Sequence, residues 1–311
     1  VVDENRIRGF PKRFMPSNIL RLALVIAAPL VLLVVGAHAV AAEEGMLFAI
    51  LFAIIVLAAL FWFGDLIVIR LCKAELLTVY HDPPLFRVVE ALSNEVGIPV
   101  PKIYSTSAEA MNVLSIGRTP SNGGIVFTDA IRKQLPKEEL RNVIAHELIH
   151  IKHRDALLGA SAAMLAATFG LGAGSARQNA PPGKSNGSLI HESRSFALSG
   201  ALFVLAPIAA MFVRLLVDVQ REFRADEAGA RLTRDPLAMA NAIRTLEKKK
   251  HQVPLAVVPA IAHLFIVSPL TSGRIARLFL THPTMEQRIA RLEALHRAAP
   301  LSKEKSLAVT K

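Results

Sequence analysis

Four stretches of this chain, residues 22–42, 45–64, 156–176 and 195–213, contain no Lys, Arg, Asp or Glu. Each is about 20 residues long, the length an α-helix needs to cross the hydrocarbon core of a bilayer while satisfying its own backbone polar groups. The first two, "LALVIAAPLVLLVVGAHAVAA" and "MLFAILFAIIVLAALFWF", are apolar around the whole helix rather than along one stripe. Only Glu43 and Glu44 separate them, which predicts a helical hairpin. The third and fourth are rich in Ala and Gly, and a buried helix of a soluble core competes with a membrane span there. The polar connector between them, "RQNAPPGKSNGS", favours two further spans, four in all.

Between the second and third runs the period changes. "PLFRVVEALSNEVGI" reads as a helix, and "KIYST", "MNVLSIG" and "GIVFTDAI" read as short strands punctuated by Pro120, Asn122, Gly123 and Gly124, so a small sheet is expected. A helix follows in "PKEELRNVIAHELIHIKHRD", with Pro136 near its first turn and Glu138 and Glu139 at the positive end of its dipole. After the fourth run the pattern is helical again, through "QREFRADEAGARL" to "TMEQRIARLEALHRAA". The segments are therefore a cytoplasmic N-terminal stretch 1–21, a membrane hairpin 22–70, a first catalytic part 71–155, spans 156–213 with the loop 177–194, a helical second catalytic part 214–301 and a disordered tail 302–311.

Composition agrees with membrane contact: hydrophobic residues make up 52% of the 311 and mean hydropathy is +0.42. The net charge of +11 raises the question of nucleic acid. The basic residues, however, gather beside the apolar runs: Arg6, Arg8, Lys12, Arg13 and Arg21 before the first, Arg70 and Lys73 after the second, Arg221 and Arg224 after the fourth. That placement suits anionic headgroups and puts both termini on the cytoplasmic side of a plasma (inner) membrane. The one cysteine, Cys72, excludes an internal disulfide and any multi-cysteine zinc site within one chain.

His146, Glu147 and His150 spell HExxH. On a helix the i, i+4 spacing stacks both imidazoles on one face, so that they can share an ion. The intervening Glu147 stands beside the open coordination position as the general base. A catalytic zinc needs a third protein ligand, and Glu222 in "REFRAD" is the candidate, with Asp226 one turn later on the same face to orient a ligating imidazole. His153 is the rival third ligand, but three imidazoles along one straight helix surround an ion poorly.

These motifs, with the asparagine of "MNVLSIG" and the segment "THPTMEQRIARL", resemble the HtpX-type membrane zinc endopeptidases, relatives of the CAAX prenyl proteases, over nearly the whole chain. The resemblance implies an α-helical membrane protein with four transmembrane helices and an α+β, gluzincin-like zinc-metalloprotease domain. It implies one Zn2+ per chain and an endopeptidase that removes misfolded or surplus membrane proteins at the cytoplasmic face. It further implies that Glu222 completes the metal site, that Asn112 holds an extended substrate backbone, and that His282 and Arg288 lie close to the reaction centre. His282 would donate to the developing oxyanion, and Arg288 would pair with Asp226 or another acid. "HIKHRD" departs from the family pattern in His153 and Arg154, while Asp155 is retained. Partners are then polypeptide substrates and the bilayer, with no nucleic acid. A membrane zinc transporter or non-catalytic zinc scaffold is the alternative, and would need the ligands without the base Glu147.

Overall fold

The computed structural model describes residues 62–166, 219–255, 257, 259–269 and 283–298, with scattered helical positions between 43 and 58. The chain divides into residues 1–62 and 63–311, and every element named below belongs to the second unit. The apolar runs 22–42 and 195–213 lie outside the described residues, as do segment 1–21, the connector 177–194 and the tail 302–311. Among the described residues no helix is long and apolar enough to cross a membrane, so the count of four spans belongs to the sequence reading alone.

Four strands form one mixed sheet: β1 (Glu75–Leu76), β2 (Lys102–Thr106), β3 (Val113–Ile116) and β4 (Gly124–Thr128), in the order β1-β2-β4-β3. The central pair β2–β4 is parallel, and β1 and β3 flank it antiparallel. The parallel pairing needs a crossover, and β3 supplies part of it before returning as the neighbour of β4. The return is tight. Gly117 has φ +130°, and a Cβ there would stand 2.7 Å from Gly123 Cα, so only glycine fits. The outer edge of β3 is met by the backbone of 265–266, through a bridge from Leu114 to Phe265 and a hydrogen bond from Ile266 N to the Val113 carbonyl.

Helix α1 (Pro83–Val96) starts where Asp82 accepts from Leu85 N at 3.2 Å and stops at Gly97, whose φ of +77° ends the helical path. The sequence reading carried the third strand through "DAI"; instead Thr128 caps a short helix, α2 (Asp129–Gln134), because its hydroxyl accepts from Ile131 N. Helix α3 (Lys137–Lys152) carries HExxH and is buried on all sides from Asn142 to Ile151. Around it stand α1, β3, α4 (Asp155–Ala166), α5 (Val219–Thr233) and α6 (Pro236–Gln252), with α7 (Met285–Ala298) against α5 and α6.

The strand alternation sorts side chains into two cores. Ile103, Ile125 and Phe127 pack with Leu92, Ile144, Leu148 and Met239 on the helical face. Leu114, Ile116 and Val126 pack with Val68, Ile261 and Phe265 on the other. The histidines of α3 therefore emerge from a helix buried among α1, β3, α4, α5 and α6.

Candidate metal centre

Two helices carry the donors. His146 and His150, one turn apart on α3, turn their Nε2 atoms toward each other at 3.0 Å. Glu222, in the first turn of α5, brings Oε2 to 3.7 Å from His146 Nε2 and Oε1 to 3.5 Å from His150 Nε2. All three side chains are buried, and one donor atom from each lies within 4.8 Å of the others.

The far side of each imidazole faces an aspartate. His146 Nδ1 lies 2.9 Å from Asp226 Oδ1, and His150 Nδ1 lies 3.0 Å from Asp155 Oδ2. An imidazole oriented this way, when it ligates a metal, keeps its proton on Nδ1 toward the aspartate and turns the Nε2 lone pair toward the ion. Two lone pairs at 3.0 Å repel unless a proton or a metal ion lies between them. A tetrahedral zinc with ligand bonds of about 2.0–2.2 Å spaces its donors by roughly 3.3 Å, close to the separations found here.

Charge is compatible with this. With the imidazoles neutral and the carboxyls ionised, Glu147, Asp155, Glu222 and Asp226 against Arg221 and Arg288 leave two negative charges for a divalent cation to offset, and without metal the proton on His150 takes part of that load. The residues thus fit a divalent metal ion such as zinc, which His146, His150 and Glu222 would hold.

Arg288, completely buried on α7, grips Asp226 by two bonds of 2.6 Å from Nε and Nη2, while its Nη1 donates to the Ile266 carbonyl at 2.7 Å. Burial alone would raise the Asp226 pKa, but Arg288 outweighs it and holds the carboxyl below the usual range. For Asp155, burial is likewise outweighed, by His150 and Arg221. Burial lowers the His150 pKa, but Glu222 and Asp155 more than reverse this and lift it to about 9 when no metal is bound. Burial pushes Glu147 up, against the pull of the two histidines, and the Ser115 hydroxyl donates to its carboxylate from β3.

The other residues singled out in the sequence fall in three places. His153 caps the C-terminus of α3 and is not part of the donor group. His282 lies outside the described residues. Asn112 is buried at the start of β3, where its Nδ2 donates to the Val267 carbonyl at 2.8 Å and its Oδ1 accepts from Val113 N at 3.0 Å. In that position its side chain ties the fold together, and engaging a substrate would require breaking those bonds. Sequence reasoning gave no role in the centre to Asp155, Arg221 or Ser115. Asp155 follows a turn at Arg154, whose φ of +58° breaks helical periodicity, so no spacing rule reaches it.

The chain is similar to several known proteins. The model of peptidase family M48 matches residues 81–296. A protease HtpX homolog of Syntrophobacter fumaroxidans is 36% identical over 256 residues, covering 82% of this chain and 90% of that protein. Homologs of the same name from Thermococcus sibiricus and Aquifex aeolicus are 38% and 37% identical, covering 73% and 74% of this chain and 78% of each relative. A crystal structure of S. mikatae Ste24p aligns with a TM-score of 0.48 at 17% identity, over 88% of this chain and 64% of that one.

Proposed function

The chain belongs to peptidase family M48, among its HtpX-type members, and is a metalloprotease; on that premise we propose that it is a zinc-dependent endopeptidase of the cytoplasmic membrane. The observation that carries the reading is the convergence of His146, His150 and Glu222 on one point beside Glu147. Zinc, when bound there, polarises the scissile carbonyl and makes water acidic enough to be deprotonated near neutral pH.

The chain's own groups do the rest. Glu147 takes a proton from the attacking water and delivers it to the leaving amine nitrogen, so no covalent intermediate with the protein is needed. The Ser115 hydroxyl holds the Glu147 carboxylate toward β3. An extended substrate pairs by its backbone along the edge of the small sheet, which gives broad rather than residue-specific recognition. His282 supplies an oxyanion donor, and Asn112 would contact the substrate backbone only on giving up its bonds to Val267 and Val113.

Membrane attachment is supported by the apolar runs and by the described helical positions of the second run, where Leu47, Phe48, Leu51, Phe52 and Ile54 are exposed. The HExxH helix ends just before the third run and Glu222 follows just after the fourth, so substrates arrive from the bilayer or its cytoplasmic surface. Removal of misfolded or surplus membrane proteins is the role this position suits.

The test is cleavage of an unfolded polypeptide by detergent-purified protein, with zinc content measured in parallel. Glu147→Ala is expected to keep zinc and lose roughly 10²–10⁴-fold in rate, the scale of general-base catalysis. Glu222→Ala is expected to lose zinc. Equal cleavage by wild type and Glu147→Ala would sink the reading.

A further inference from the structure

α5 sets Glu222, Asp226, Gly229 and Thr233 at spacings of four, three and four residues, which is one stripe of a helix, and the stripe faces α3. The first two residues belong to the metal centre. The other two carry no group directed at the metal, yet they make the closest constraints between the helices.

An ideal Cβ on Gly229 would stand 3.1 Å from the backbone nitrogen of His146, and 3.4 Å from His146 Cα and from the carbonyl carbon of Ala145. These are helix backbone atoms, unable to swing aside as a side chain would. One turn on, the Thr233 hydroxyl donates to Asn142 Oδ1 at 2.5 Å, while Asn142 Nδ2 donates to the Glu138 carbonyl at 3.0 Å. Both partners are buried; the same hydroxyl lies 3.1 Å from the Gly229 carbonyl and 3.3 Å from that of Ala230 on its own helix, and of its three acceptors Asn142 is the one on α3, so the cross-helix bond depends on the register of the two helices.

We propose that Gly229 and the Thr233–Asn142 pair are positioning residues for the metal centre: Gly229 sets the distance, and the pair sets the register, at which α5 delivers Glu222 to His146 and His150. The inference rests on the reading of Glu222 as third ligand. Relieving a 3.1 Å contact with backbone displaces α5 by a few tenths of an ångström. Metal–ligand distances tolerate only about 0.2 Å, so even this small displacement exceeds what the centre absorbs.

The experiment titrates full-length, metal-stripped protein in detergent with zinc and with cobalt. For Gly229→Ala the expected result is zinc affinity lower by about 10–100-fold, the range seen when groups supporting a ligand are lost. A changed cobalt visible spectrum and a smaller zinc-induced rise in Tm should accompany it. Thr233→Val is expected to lose several-fold, roughly the lower end of that range, and Thr233→Ser to restore parental binding. A packing role alone would lower Tm equally with and without metal and leave zinc affinity and the cobalt spectrum unchanged, which overturns the proposal. Should Gly229→Ala not fold, Thr233→Val decides: parental zinc affinity there also overturns it. A Glu222→Ala variant that binds zinc like the parent removes the third-ligand reading itself, a failure distinct from that of the spacing.

Discussion

The two histidines of the centre are supported by the same chemistry built to two standards. Behind His146 stand Asp226 and then Arg288, which makes two 2.6 Å bonds to the carboxylate and a third bond to the Ile266 carbonyl, all fully buried. Among the described residues, Asp155 and then Arg221 stand behind His150, and the Arg221 guanidinium reaches Asp155 at 3.4 Å. The deep relay joins α3, α5, α7 and Ile266, and among the described residues the rim relay joins α3, α4 and α5. A bidentate guanidinium fixes a carboxylate in plane and direction, and a single long contact does not. The difference teaches that the carboxylate behind His146 is fixed in plane and direction by its guanidinium, while the described contact behind His150 fixes it less tightly.

The contrast can be broken most severely at Arg288. Arg288→Ala strands the Asp226 charge in the core, at an expected cost of about 3–5 kcal/mol. Denaturant unfolding of the metal-free protein would report it as a lower midpoint, with zinc binding lost alongside. Arg288→Lys should recover only part of this, because a point charge cannot replace the fork.

Next in size are the aspartates. Asp226→Asn and Asp155→Asn are each expected to weaken zinc by about 10–100-fold, with Asp226→Asn at the upper end. Equilibrium dialysis on both variants ranks them, and the reverse order would contradict the deep-versus-rim distinction.

Protons sharpen it further. Without metal, the His150 pKa stands at about 9, above the ordinary 6.5. Protonation there stabilises the metal-free fold fully below about 6.5, and this contribution is lost as pH rises through about 9. Zinc must displace that proton, so its affinity should fall by about tenfold per pH unit below 9. A flat affinity profile between pH 6 and 9 would show that His150 is not held as described.

The smallest effect belongs to Arg221→Ala. Asp155 keeps its partner His150, so the loss should be about 1 kcal/mol in stability, the scale of one hydrogen bond. If this variant unfolds as readily as Arg288→Ala, the two relays are equivalent after all.

Much of the fold was visible in the sequence where it depends on neighbours along the chain. The HExxH helix, the helix after Asp82 and the strand at 102–106 show themselves through period, caps and punctuation, since Pro, Asp and Gly act within a few residues of where they stand. β1 escaped notice because two residues, Glu75 and Leu76, carry no alternation to read. The end of β4 was overrun because Thr128 acts as a cap there, although its β-branched side chain also suits a strand. In the site, the i, i+4 pairs His146–His150 and Glu222–Asp226 are local geometry. The support from Asp155, Arg221, Ser115 and Ile266 is not, since these groups reach the centre through a positive-φ turn, a sheet edge and a loop.

By itself, then, the sequence determined which residues can bind a metal, which one can act as base, and which helix face presents each, because helical spacing is a property of the backbone. Only the tertiary structure decided that α5 crosses α3 at Gly229, where the missing side chain lets the backbones approach. It also decided that Arg288, 62 residues after Asp226, closes behind it. Those distances are set by packing among elements far apart in the chain, and packing is a property of the whole core that no local pattern encodes.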